Sequence, residues 1–147
     1  MNQNRYKLDD VDYLPFMFGI EKIDSDHRHL IGIFNRMSEK ADQEESTDFI
    51  KIIDELEKYS NFHFANEETL MKKANFDEIE EHVIQHQIFR QKINDFKTSI
   101  QFGSSTLEVE IVVFLRKWLL KHIIECDAKY VSSIKEYLNR EEKNNLL

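Results

Sequence analysis

Apolar residues recur at alternating steps of three and four along four long stretches of this chain, a spacing that suits helices packed side by side and little else. The first seam runs through Ile23, Leu30, Phe34, Met37 and Ala41, and the second through Phe49, Ile53, Leu56 and Leu70. The third holds Ile79, Phe89, Ile93, Phe96 and Ile100, and the fourth Ile111, Leu115, Trp118, Tyr130, Ile134 and Tyr137. Three glycines and one proline in 147 residues leave helices free to run long. They would not supply the many turns of a β-sandwich.

Breaks between the seams are short. Asp24 or Ser25 could cap the first helix, and the polar stretch 42–47 ends it. Ala74-Asn75-Phe76 separates the second from the third, which Asp77 and Glu80 open as a capping box. Gly103-Ser104-Ser105 is the next turn, with Ser105 and Glu108 as a second box. Short connections make neighbours antiparallel, so the expectation is an all-α, up-down-up-down four-helix bundle over 21–140. Residues 1–20 lack helical periodicity, and 13–20 are apolar with the only proline. They read as an N-terminal extended arm laid over the bundle, and 141–147 as a polar tail.

A net charge of −8 argues against a nucleic-acid partner or an anionic membrane surface. No run approaches the roughly 18 apolar residues of a membrane span, and no signal-peptide core is visible. The single cysteine, Cys126, excludes an internal disulfide and fits a reducing compartment. A cytoplasmic protein is expected.

Polar residues occupy the same seams. His27 fills the gap between Ile23 and Leu30; His63 and Glu67 are four apart, as are His82 and His86; His122 and Asp127 follow on the fourth helix. A four-residue step puts two side chains on one helix face. Burying such groups costs stability unless they are paired or bound to metal. Antiparallel alternation brings all seven to one end of the bundle. Five imidazoles and two carboxylates exceed the four ligands of a tetrahedral zinc. They suit two six-coordinate ions, with iron the leading candidate. If both carboxylates and one solvent oxygen bridge, five histidines divide three and two, leaving one metal with an open position for dioxygen.

Ile23-Asp24-Ser25-Asp26-His27-Arg28-His29-Leu30 resembles the first ligand segment of the hemerythrins, and Tyr59 to Met71, with His63-Phe64-Ala65-Asn66-Glu67-Glu68, the second. Glu81 to His86 is similar to the third, and Trp118 to Asp127 to the fourth. The resemblance runs from about Gly19 to Tyr137 and implies a bacteriohemerythrin-like protein that binds dioxygen reversibly, as carrier or store, at two irons joined by an oxygen bridge. It implies that His82, His86 and His122 hold the saturated iron and His27 and His63 the oxygen-binding one, with Glu67 and Asp127 bridging. It also implies an apolar oxygen pocket at Phe64, Trp118, Leu119 and Ile123. An oxygen-using enzyme or a reductase is a conceivable partner; the oligomeric state is not legible.

Other readings compete. Incidental histidines in a structural bundle would not explain two four-residue pairs, His63 with Glu67 and His82 with His86, together with outlying donors. Oxygen-activating di-iron oxidases or peroxidases use mostly glutamates, whose charge favours high-valent iron, so histidine-rich ligation points to binding instead. A sensor of oxygen, nitric oxide or redox state normally needs an output domain or a partner surface; no fused output domain is expected here, so a sensor without one stays as an alternative to carriage or storage. His29, two residues from His27, is expected at the surface, and Glu68 and Glu125 are expected to be solvated. Cys126 reads as a small packed residue and Tyr130 as core. His122 and Asp127, five apart, lie about 140° around an ideal helix. To share a site they must straddle a metal pair or enclose a local π-bulge.

Overall fold

The structure is a computed structural model that describes residues 7–8, 14–42, 46–100 and 107–145. Four long helical rods make it up, and no strand occurs among the described residues. Helix α1 spans Glu21–Asp42, α2 Ser46–Lys73, α3 Ile79–Ile100 and α4 Leu107–Lys121. The fourth rod continues through a π turn, His122–Cys126, and a 3-10 turn, Asp127–Tyr130, into α5, Val131–Asn145. Helix α1 packs against α2 and α4, and α3 packs against α2 and α4, which gives the antiparallel up-down-up-down bundle. The polar segment after Asn139 is exposed and helical as far as Asn145.

The seams face inward. Ile23, Phe34, Met37, Phe49, Ile53, Leu56, Ile93, Ile111, Leu115 and Ile134 are all buried, whereas Leu70, Ile79, Phe96, Ile100, Trp118 and Tyr137 are half-buried at the margins. The core has two parts. A larger cluster contains Phe16, Leu30, Phe34, Phe64, Phe89, Leu119 and Ile123; a smaller one contains Ile20, Ile23, Met71, Phe76, Tyr130 and Ile134. The donor residues lie between them: His27 follows Ile23 and precedes Leu30, Glu67 sits between Phe64 and Met71, and Asp127 between Ile123 and Tyr130. A polar layer thus divides the apolar interior.

Helix ends follow local chemistry. Helix α1 begins at Glu21, three residues before the expected cap. Asp24 acts from inside the first turn, where its carboxylate accepts the N–H groups of Phe18 (2.7 Å) and Gly19 (3.0 Å). Gly19, at φ +80°, turns the arm into the helix in a conformation that side chains disfavour. Asn75, at φ 55°, ends α2 as expected. The N–H of Phe76 bonds to the carbonyl of Met71 and that of Asn75 to Lys72, the paired bonds of a Schellman motif. Helix α3 starts at Ile79, two residues past Asp77. The expected turn at 103–105 and its capping serine lie outside the described residues.

Of the arm, residues 7–8 and 14–20 are described, and they pack on the bundle. Leu8 is buried, and its backbone N–H and carbonyl both pair with the side chain of Asn35 (2.8 and 2.9 Å). Where an extended course was expected, a 3-10 turn at Leu14–Phe16 packs against the π turn, and Phe16 is fully buried.

Candidate metal centre

The bundle brings all seven expected donors into the polar layer. His27, His63, Glu67, His82, His86, His122 and Asp127 are at most 4% exposed. Two groups form, one of His82, His86 and His122 and one of His27 and His63, and Glu67 and Asp127 belong to both. Within each group the ligand-type atoms lie within 4.8 Å of one another.

Asp127 is buried and central because of the π turn. Its N–H bonds back five residues to the carbonyl of His122, so the turn carries one extra residue and stacks Asp127 above His122, as an ordinary helix would stack a residue four along. Its Oδ2 lies 3.1 Å from His27 Nε2, while Oδ1 lies 2.9 Å from His82 Nε2 and 3.1 Å from His122 Nε2. One carboxylate thus spans both groups. Glu67 Oε1 lies 3.4 Å from His63 Nε2 and 3.1 Å from His86 Nε2. Its Oε2 accepts the Tyr130 hydroxyl at 2.5 Å.

Six buried atoms here have no hydrogen-bond partner: Glu67 Oε1, Asp127 Oδ1, both nitrogens of His122, and Nε2 of His82 and of His86. Several sit within 3.1 Å of one another, yet their directions do not form hydrogen bonds. Buried polar atoms left unpaired at such close range are rare unless something binds them. The donor set therefore fits metal ions, with neutral imidazole and carboxylate as ligands.

Protons hold the charges together when no metal is bound. Burial opposes charge on His63, but the carboxylates of Glu67 and Asp26 outweigh it and push its pKa up to about 10. Against the same burial, Asp127 and Glu67 raise His82 to about 9, and Asp127 raises His122 to about 10. Burial also pushes Glu67 and Asp127 up, and Glu67 repels Asp127; the surrounding imidazoles prevail and hold both well below the usual carboxylate range.

Outer partners orient the rings. His27 donates from Nδ1 to the carbonyl of Phe16 at 3.0 Å. His63 Nδ1 lies 2.8 Å from Asp26 Oδ2, and His86 Nδ1 2.7 Å from Glu68 Oε2. Glu68 is thus half-buried against a site histidine, contrary to the expectation that it is solvated. Helix geometry does turn it from Glu67, but toward α3. Asp26 and Glu68 escaped sequence reasoning in these roles, since each serves a ring on another helix. Glu125 and His29 are exposed as expected, His29 lying flat on Tyr59 with centroids 4.0 Å apart. Tyr130 is core, as expected, and also bonds Glu67. Cys126 is half-buried and lines a cavity of about 140 Å³ with Phe76, His82, Gln85 and Lys129.

The four apolar residues expected beside the site lie in or against the larger cluster. Phe64 stacks on His86 (3.8 Å between centroids) and Trp118 on His122 (4.2 Å), so both flank the three-histidine group. Leu119 and Ile123 are buried next to them in the chain.

Fold and site together define a four-helix bundle protein with a buried histidine–carboxylate cluster able to bind metal. Residues 19–133 match the family described as "Hemerythrin HHE cation binding domain". The chain belongs to the hemerythrin family. It is 32% identical over 121 residues to a bacteriohemerythrin of Clostridium acetobutylicum, covering 79% of this chain and 94% of that one. A myohemerythrin of Riftia pachyptila is 30% identical over 120 residues, with 81% and 88% covered. A bacteriohemerythrin of Pseudomonas aeruginosa is 29% identical, with 82% and 78% covered. A solved leucine-to-phenylalanine mutant shares the fold at a TM-score of 0.71 and 23% identity, over 76% of this chain and 85% of that one.

Proposed function

We propose that this protein binds dioxygen reversibly at a non-haem di-iron centre, as an oxygen carrier or store. The observation that carries the reading is the division of seven buried donors into two groups that share Glu67 and Asp127. In this reading His82, His86 and His122 hold one iron, His27 and His63 hold the other, and the two carboxylates join them. A ferrous pair would supply the two electrons that dioxygen takes on binding and returns on release.

The chain's own residues supply the surroundings. Phe16 and Asp26 fix the rings of His27 and His63 with Nε2 toward the centre. Tyr130 keeps its proton, because burial and the carboxylates beside it raise its pKa well above the ordinary value, and so it donates steadily to Glu67. In this reading Phe64 and Trp118, which flank the three-histidine group, together with Leu119 and Ile123 make one side of the centre apolar and would keep water, and hence protons, from it. Oxygen retained in a dry pocket leaves as oxygen. Among the described residues no helix is long and apolar enough to cross a membrane, and we place the protein in the cytoplasm.

The test is optical. The reduced, iron-loaded protein should gain a visible charge-transfer band in air and lose it when oxygen is removed. A permanent conversion would turn the assignment to a redox enzyme or sensor, and sustained oxygen uptake with added reductant would select the enzyme.

A further inference from the structure

We propose that Asp26 is a positioning residue that makes the two-histidine half of the centre a competent metal position. This rests on the two-metal reading above. The halves are unequal, with three imidazoles in one and two in the other, around shared carboxylates. The poorer half depends more on how firmly each ring is held and how strongly it donates.

Asp26 acts on both. Its Oδ2 accepts the Nδ1 proton of His63 at 2.8 Å, so in the neutral ring that a metal needs the lone pair is on Nε2, 3.4 Å from Glu67 Oε1. A carboxylate in that place sets the tautomer and makes the ring a better donor. Asp26 is itself held: the Tyr59 hydroxyl donates to Oδ1 at 2.9 Å, and the Asn66 amide reaches Oδ2 at 3.5 Å. The other ring in this half, His27, has at its Nδ1 the neutral carbonyl of Phe16 in place of a carboxylate.

The richer half also has a carboxylate partner, but a weaker one. Glu68, beside His86, is 28% exposed and has Arg90 at 3.9 Å, so water and a guanidinium both offset its charge. Asp26 is 8% exposed, and among the described residues it has no cation at its side other than His63. Its charge acts on that ring with little screening.

The experiment is Co(II) titration of the metal-free full chain, followed by ligand-field absorption and calorimetry. The unaltered chain should take two ions. In Asp26→Leu one ion should bind about 10–100-fold more weakly while the other is unchanged. His63→Ala gives the reference spectrum for loss of this half, and Asp26→Leu at low Co(II) should match it. Asp26→Asn, which offers a neutral acceptor, should fall between, and it carries the test alone if the leucine variant does not fold. Equal weakening of both ions, or of neither, overturns the assignment to Asp26. An unaltered chain that takes fewer than two ions overturns the two-metal reading, and the assignment with it.

Discussion

Glu67 and Asp127 sit where water cannot reach them, so every charge they carry is answered by a neighbouring side chain. Tyr130→Phe removes one such answer, the hydroxyl on Glu67 Oε2, and adds nothing in its place. The metal-free protein should lose about 1.5–3 kcal/mol of stability, the usual worth of a hydrogen bond to a charged group, as read by urea unfolding. Replacing Glu67 or His63 by alanine reaches further, and metal analysis should show the paired site gone. A variant that kept two metals and normal oxygen binding would sink the ligand assignment. Protons report on the same residues. His63, His82 and His122 have pKa values near 10, 9 and 10, so all three are charged at neutral pH without metal. Metal needs them neutral, so loading at pH 7 should release about three protons, and affinity should climb toward pH 9–10. Calorimetry in buffers of different ionisation enthalpy counts those protons. The sign for folding follows: a raised histidine pKa stabilises the metal-free fold fully below about pH 6.5, and that contribution fades as pH rises through 9–10. Six of the seven donors were legible because each lies on its helix's apolar seam; Asp127, five residues past His122, was legible only through the resemblance of its segment to the family motif. Asp26 and Glu68 were not, for a physical reason. A residue next to a donor in a helix projects about 100° away from it, and its partner stands on another helix, where periodicity along one helix carries no information.

At the scale of elements, the seams and the turn at Asn75 follow from spacing and from one residue's tolerance of positive φ. The start of α1 was misplaced because Asp24, an evident cap by type, reaches back from the first turn to serve the arm. The π turn was legible only as a geometric demand: five residues separate two side chains that must meet. It accommodates one surplus residue, and that has a sharp consequence. Deleting Ile124, which is 38% exposed, should turn the π turn into an ordinary one, leave His122 and the aspartate four apart on one face, and keep both metals. Inserting one alanine at the same point should swing the aspartate about 100° further round and lose them. Metal content, with helicity by circular dichroism as a control, separates the two.

Across the whole molecule, the polar layer divides the apolar interior into two unequal clusters. Metal ions would bind the two together; without them, imidazole–carboxylate contacts, Phe18 packed against both clusters and the continuous helices do. Amide hydrogen exchange should therefore show the end of the bundle around Ile23, Met71 and Ile134 opening first in the metal-free protein, and protection there rising most on metal loading. Uniform protection across both clusters would show that the layer is no weak plane. The layer also imposes an order in time. His27 meets Asp127 across 100 residues of chain, and neither half of the centre is complete without that aspartate. A chain still being synthesised has all five donor histidines and Glu67 before it has Asp127, the last residue that both halves share. Metal must then arrive at a finished fold, and a cell short of iron would accumulate folded, empty protein ready to be filled.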